Sequence, residues 1–503
     1  MEQAIPLQET PPTSQGIRWY DYITINIYYL GSTTVSQTNG LVFPLLVQMF
    51  VGEAVKGEVL GRLRLVTLMV ALLTQALMGM LSDRSSLRWG RRRPFIFLGT
   101  LLNLLFITGI GVSSGMSGAS GLSFLFAMAI FSQVAANMAH GAQQGLIPDL
   151  IPTEKRGKFS AVKAILELPL PLILVSFTIA TMISRGNMWA GILTAMAVLA
   201  VSTLLAMLTP EKQLKVAPPP FDWAPILRLG LMTALFAAII LGTGALVKII
   251  GQLLVGLPDA TLVMGMGAAG LLAMLVSVGL GVYASVRLSV GLEAARQNPS
   301  FTWWVINRLA FLVGATNLST FAVYFIQARL GFERETAAGP AARLMLVVGV
   351  FILLSALPSG WLSDRFGRRS LVILSGVMAA LGTLVALLVP NLNLIYVGGT
   401  LIGIATGLFY TANWALGTDI VPKLEAGRYL GISNLAGAGA GAVGAYIGGP
   451  IADYFTVNMP AIEGLGYVVL FSIYGLLFLF SAVAVTRVQE HNPDISIPNP
   501  LSG

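Results

Sequence analysis

The 503-residue chain has no cysteine, only two histidines and little charge of either sign: Asp, Glu, Lys and Arg together make up 10% of it. Soluble domains carry about 25%. Without cysteine there is no disulfide framework, no thiolate metal site and no cysteine nucleophile. The histidines, His140 and His491, stand far apart. No phosphate-cradling loop, ligand cluster or nucleophile arrangement is visible, so an enzyme is not expected and no cofactor or metal is called for. The first 17 residues lack the basic and apolar regions of a signal peptide and read as a short cytoplasmic tail.

Hydrocarbon fills the space that charge leaves. The chain is 55% hydrophobic, with 55 glycines, and its mean hydropathy is +0.80. Those values belong to the membrane class. A helix needs about 20 apolar residues to cross the hydrocarbon core. Fourteen such spans are expected, at 20–50, 64–82, 95–114, 121–147, 159–184, 187–208, 229–254, 260–286, 302–328, 341–363, 370–389, 393–417, 428–450 and 465–486. With the N-terminus inside, most of the 30 lysines and arginines fall in cytoplasmic segments. The net charge of +8 is therefore read as topology in a bilayer, with both termini cytoplasmic, and not as a nucleic-acid surface.

The charge that does occur is concentrated and repeated. "GMLSDRSSLRWGRRRPF" begins at Gly79, and "GWLSDRFGRRS" at Gly360. Asp83, Arg84, Gly90, Arg91 and Arg92 in the first correspond to Asp364, Arg365, Gly367, Arg368 and Arg369 in the second. "PDLIPTEKRGKFSAV" at 148–162 aligns without a gap on "TDIVPKLEAGRYLGI" at 418–432. That alignment pairs Asp149 with Asp419, Pro152 with Pro422, Lys158 with Arg428 and Phe159 with Tyr429. The chain thus reads as two related six-helix halves. The repeat offset exceeds the length of one half by roughly two spans, the pair within 229–286. The expected organisation is an N-terminal bundle at 1–208, a linker with an inserted hairpin at 209–300, and a C-terminal bundle at 301–503.

Two six-span repeats, each with this loop after its second span, resemble the major facilitator superfamily of secondary transporters. The fuller "SDRSSLRWGRRRPFI" is most similar to the sucrose/proton symporter branch and its glycoside-cation relatives. The resemblance implies an all-α membrane fold of two pseudo-symmetric bundles in the plasma membrane, moving a small molecule by alternating access. It implies that Asp83 and Asp364 meet the start of a helix from the other half. Arg84 and Arg365 then pair with neighbouring acids, Asp149 and Asp419, to latch the cytoplasmic side. It also implies a central cavity lined by spans 1 and 4 and their counterparts.

Those spans carry polar stripes. Gln133, Asn137, His140 and Gln144 share one helix face. Asn26 and Tyr29 stand on span 1; Arg308, Asn317 and Tyr324 on 302–328; Tyr410, Asn413 and Trp414 on 393–417. Amides, hydroxyls and rings suit a neutral polyhydroxy cargo, although each alone is as readily a helix-to-helix bond. Spans such as 370–389 and 465–486 are nearly blank and are expected to face lipid. Among intramembrane charges, which tend to be functional or paired, Glu167 precedes "LPLP" and is a proton-coupling candidate; the plainer reading is an ion pair with Lys163 one turn earlier. Asp21 is a second candidate through the resemblance. Arg308 either binds cargo or neutralises an acid. A proton-coupled sugar or glycoside symporter is the leading expectation. A proton-driven exporter of amphipathic compounds, or a non-transporting assembly factor on the same scaffold, are the rivals.

Overall fold

The computed structural model describes residues 18–489 apart from 212, 214–222, 292–295, 297 and 422–425. The 1–17 tail, Pro422 and Lys423 lie outside the described residues, as do the side chains of Arg428 and Tyr429. Among the described residues the fold is all helix, in fourteen long segments. The first six are α1 (Ile27–Val51), α2 (Lys56–Asp83), α3 (Arg93–Ser113), α4 (Gly118–Gln144), α5 (Arg156–Ser184, in several pieces) and α6 (Met188–Ala206). The hairpin is α7 (Ala224–Leu254) and α8 (Asp259–Val290). The last six are α9 (Pro299–Thr320, continued by Ala322–Leu330), α10 (Ala338–Phe366), α11 (Arg368–Leu388), α12 (Leu392–Ile420), α13 (Ala426–Asn458) and α14 (Leu465–Ala484).

Eleven of these helices are long and apolar enough to cross a membrane, or twelve when the two parts of α9, bent by 59°, count as one span. α1 and α13 fall outside that set. Both are polar or glycine-rich along much of their length, and both pack inside the bundle. A count of fourteen therefore depends on these two crossing as well.

Local chemistry sets the boundaries. Asn187, Asn298 and Asn391 each stand before a helix and accept a hydrogen bond from its first-turn backbone, starting α6, α9 and α12. Gly90 (φ +108°) and Gly367 (φ +86°) make the matching turn ahead of α3 and α11, a conformation that favours glycine. α5 breaks at Leu168, before Pro169, as the prolines required.

The two halves meet along a glycine seam. A Cβ on Gly57 of α2 would lie 2.7 Å from the Gly449 carbonyl oxygen of α13, and one on Gly61 would run into the Ala445 carbonyl. Glycine here lets the two backbones touch. On the other side of the bundle Ser176 Oγ donates to the Ala342 carbonyl at 2.8 Å, joining α5 to α10. The hairpin covers the seam. It packs on α2 and α13 together, with Phe236 against Gly439, Tyr446 against Gly244 and Lys248 Nζ 2.5 Å from Glu58 Oε1.

α14 meets one expectation in part. Phe471, Tyr474, Leu477 and Phe478 are buried against α9, α11 and α13, while Leu476, Leu479 and Val483 on its other face are exposed. An apolar surface all round is equally what lipid and neighbouring helices require, and composition does not separate them.

Candidate functional site: polar clusters between two gates

The arginine loops fold into two equivalent clasps. In the first, Arg91 pairs with Asp149, and Arg92 Nε lies 2.8 Å from the same carboxylate. Arg92, only 6% exposed, also pairs with Asp83 and donates to Ser82 Oγ at 2.9 Å. In the second, Arg368 pairs with Asp419 and Arg369 donates to the Thr486 carbonyl at 2.6 Å. Arg91 and Arg368 are repeat equivalents, and so are their acids. The expected partners were different. Asp149 is held by Arg91 and Arg92, not Arg84, and Asp419 by Arg368, not Arg365. Arg365 lies over the Trp361 and Phe366 rings. The arginines after the glycine turn are the ones aimed back at the acid, because the turn reverses the chain between them. Gly79 packs beside Gly141, 3.9 Å from its carbonyl to a built Cβ, while Gly360 meets nothing within 4 Å. Asp364 is exposed.

Each of these pairs joins residues of one half. Asp83 turns to Arg92 of its own loop, and among the described residues it meets no helix of the other half. Glu211, from the segment after α6, completes the first clasp. Its carboxylate accepts the Arg92 and Arg93 backbone N–H groups at 2.7 and 3.0 Å. Burial raises its carboxyl above the ordinary value, and those backbone bonds pull it the other way.

The acid-on-helix-start contact between halves exists, at the opposite end. Asp453 of α13, 6% exposed, accepts the Gly57 and Glu58 N–H groups at 2.9 and 2.7 Å. It therefore satisfies two orphan donors of the first turn of α2 and sits on the positive end of its dipole. Lys56 beside it lies 2.6 Å from Glu53, 3.3 Å from Gln327 Oε1 and 4.5 Å over the Tyr324 ring. Tyr324 donates to the Pro44 carbonyl at 2.7 Å. The molecule is latched shut at this end, and the arginine-loop end carries no such bond among the described ion pairs.

Behind the arginine-loop end each half presents a cluster. In the N-terminal half Lys163 Nζ stands 3.6 Å from Glu167 and 4.4 Å over the Tyr29 ring. Tyr29 meets His140 edge-on, and Gln144 Nε2 lies 3.0 Å from His140 Nε2. One and two turns further along, Asn137 Nδ2 donates to the Gln133 carbonyl at 2.8 Å. In the C-terminal half Arg308 donates to Asn413 Oδ1 at 3.0 Å, with the Trp304 and Trp414 rings 5.9 and 5.5 Å from its guanidinium. Tyr410 and Trp414 remain 43% and 41% exposed. From the helix starts, Arg308 is nine residues in and Glu167 eleven, so both lie at about 13–17 Å depth at 1.5 Å per residue. Beside Tyr410 a cavity of about 270 Å³ runs between α9, α10, α11 and α12, lined mostly by apolar side chains such as Phe325, Met345 and Ile352, with Thr316, Ser319 and Thr406 among them.

Other expected lining residues bond helix to helix. Asn26 is fully buried and donates to the Tyr22 and Phe159 carbonyls. Asn317, also fully buried, donates to the Val313 and Ala440 carbonyls. Tyr324 belongs to the latch. On α9 the open face is that of Thr316 and Ser319. Asp21, 6% exposed, accepts the Arg18 N–H at 2.7 Å in the turn before α1.

Sequence reasoning missed Glu211, Lys56 and Asp453. Asp453 lies beyond the expected span 428–450 but inside the observed helix, where an acid is an expensive residue. Arg64 carries a similar signal. It stands at the edge of the expected span, and its Nε is buried without a hydrogen-bond partner.

Fold and site together define a polytopic helical membrane protein built on an internal repeat. Residues 40–255 match the family model described as MFS/sugar transport protein, and 304–501 match the Major Facilitator Superfamily model. The chain belongs to the major facilitator superfamily, whose members are transporters and not enzymes. It is 29% identical over 170 residues to an uncharacterised MFS-type transporter of Bacillus subtilis, covering 34% of this chain and 31% of that protein. It is 34% identical over 88 residues to the minor myo-inositol transporter of the same organism, 18% of this chain and 20% of that one. A biosynthesis-cluster MFS-type transporter of Aspergillus aculeatus is 30% identical over 160 residues, 30% of this chain and 26% of its own. The likeness thus spans a third or less of each of these relatives. Among solved structures, the D-xylose-proton symporter has a TM-score of 0.60 at 17% identity, covering 94% of this chain and 98% of that one. The nucleoside transporter NupG has 0.62 at 12%, covering 92% and 99%. At these identities the likeness is one of fold.

Proposed function

We propose that this protein is a secondary active transporter working by alternating access, and that it moves a sugar or glycoside with protons across the plasma membrane. The observation that carries the reading is the asymmetry of the two ends. Polar and aromatic clusters, one per repeat, lie behind the arginine-loop end, while the far end is latched across the seam. A rigid-body rocking of one half on the other exchanges which end is latched. With both termini cytoplasmic, the latched end is the outer one. The arginine clasps then stiffen the inner ends of the helices that move. The rings and amides suit a hydroxyl-rich cargo, and the likeness to a myo-inositol transporter supports that class. Glu167 is the proposed proton carrier: it stands at a helix break, half-exposed, with a single weak partner at 3.6 Å. Asp21 is the lesser candidate, since its carboxylate already serves a turn.

The test is uptake of labelled mono- and disaccharides into sealed proteoliposomes, with and without an inward proton gradient. Uptake that rises with the gradient and collapses with an uncoupler supports symport, and Glu167→Gln then loses the response to the gradient. Sealed, oriented vesicles that take up no sugar overturn it. The apolar cavity beside Tyr410 favours a second reading, a proton-driven exporter of amphipathic compounds, for which the same vesicles would lose a preloaded amphiphile when a gradient is imposed.

A further inference from the structure

We propose that the cargo carries a carboxylate and that Arg308 is its counter-ion. This rests on the transporter reading above and narrows its substrate class from neutral to acidic sugars.

Arg308 has no acid. Its only hydrogen bond among the described residues is to the neutral Asn413 Oδ1, and its Nε is buried without a partner. No carboxylate lies within ion-pair distance of it among the described residues, so it neutralises none of them. The arginine is nonetheless held in place. The Trp304 and Trp414 rings both lie within 6 Å of it. Asn413 is fully buried and its orientation is fixed: its Nδ2 donates to Asn307 Oδ1 at 2.7 Å, and Asn307 Nδ2 donates in turn to Ser481 Oγ at 2.7 Å. That relay forces Asn413 Oδ1 toward the guanidinium. Trp304 Nε1 donates to the Asn413 carbonyl at 2.8 Å and ties the same two helices together. Asn307, Asn413 and Ser481 are positioning residues for a guanidinium whose remaining donors are unspent.

The charge balance points the same way. Of the side chains in the two clusters, Arg308 and Lys163 are cationic and Glu167 alone is anionic, and Glu167 is engaged by Lys163. While the arginine-loop end is open, water solvates the surplus charge. When that end closes, the surplus is carried into a dry, low-dielectric space, where an unpaired guanidinium is costly. A carboxylate supplied by the cargo removes that cost and matches the planar fork. A neutral sugar leaves it standing.

The experiment uses the full-length protein in detergent or nanodiscs and reads intrinsic tryptophan fluorescence, since two indoles lie near the site. The ligands are D-glucuronate, its uncharged methyl ester, methyl glucoside and an amphipathic carboxylate, 4-phenylbutyrate. The variants are Arg308→Gln and Arg308→Lys, each checked for an unchanged melting temperature. Glucuronate is expected to bind at least tenfold tighter than its ester. Arg308→Gln should erase that difference while keeping the weak ester binding, and Arg308→Lys, which keeps charge without the fork, should restore part of it. Equal binding of acid and ester, or a preference that survives in Arg308→Gln, overturns the proposal and leaves the sugar reading intact. Arg308-dependent binding of 4-phenylbutyrate with none of the sugars overturns the sugar reading and keeps the carboxylate. Binding of no ligand by folded protein overturns both.

Discussion

Asp453 on α13 and Gly57 on α2 belong to different halves of the molecule, and the carboxylate of one accepts the backbone N–H of the other at 2.9 Å. The same carboxylate accepts Glu58 N–H at 2.7 Å, while the Gly57 and Gly449 backbones are in contact. A helix start is thus capped from across the seam. In the proposed alternating-access cycle this cap is made only while this end is closed, so it would enter the closing equilibrium as well as stability.

Removing the cap should therefore open the latched end. Loss of a cap of this kind costs about 1–2 kcal/mol, which shifts a two-state population roughly 5- to 30-fold. The chain has no cysteine, so spin labels at Ala54→Cys and Ala461→Cys, exposed positions on opposite halves, report without background. Asp453→Ala is expected to move the distance distribution toward a longer component. An unchanged distribution would show that the seam closes without this contact.

Bulk on the seam should have a similar effect for a steric reason. A Cβ at Gly449 runs into the Gly57 carbonyl oxygen, which is backbone and has no rotamer to retreat to. Gly449→Val is expected to hold the latched end apart in the same label pair and to abolish transport, with secondary structure retained. Gly40→Ala is the control, because a Cβ there meets nothing within 4 Å.

The two acids of the first arginine clasp should differ in weight. Asp149 receives both Arg91 and Arg92, and its side chain is 23% exposed. Asp83 receives Arg92 alone and is 51% exposed. Removing Asp149 leaves the buried Arg92 short of a partner, a loss of about 2–3 kcal/mol on the scale of hydrogen bonds to charged groups; an exposed pair is worth at most about 1 kcal/mol. Melting temperatures of Asp149→Asn and Asp83→Asn should therefore fall by clearly unequal amounts, with Asp149→Asn the lower. Equal shifts would assign the clasp to Arg92 and Glu211 alone.

Much of this arrangement was legible beforehand, and the limits have physical causes. The repeat and the glycine turns at Gly90 and Gly367 were visible because a duplicated motif keeps its order. The pairing of Asp149 and Asp419 was visible as an alignment, but not which arginine each would take. That depends on how sharply the turn reverses the chain, which spacing alone does not set. Lys163 and Glu167 were found because residues four apart on a helix are neighbours. Asn317 and Tyr324 look like cavity residues in the sequence because polarity marks a helix face that avoids lipid, and a seam between helices avoids lipid as well. Asp453 is legible as a costly acid only if its helix is followed past 450, and its partners, backbone N–H groups nearly 400 positions away, leave no mark in a sequence.

Glu211 makes the first clasp sensitive to pH, and the sign follows from its surroundings. Burial holds its carboxyl above the ordinary 4.5, so the folded protein keeps this proton at pH values where the unfolded chain has lost it. Stability then falls as pH rises through the window from about 4.5 up to the raised native value, and is level again above it. Glu211→Gln cannot titrate, and its amide oxygen can still accept one of the two N–H groups from Arg92 and Arg93. The melting-temperature difference between the native protein and Glu211→Gln, followed from pH 4.5 to 7 in one detergent, should therefore decline as pH rises across that window. A difference that grows with pH would mean that the helix-start N–H groups hold the charged form more strongly than burial opposes it. Glu211 would then be a conventional anionic cap on α3.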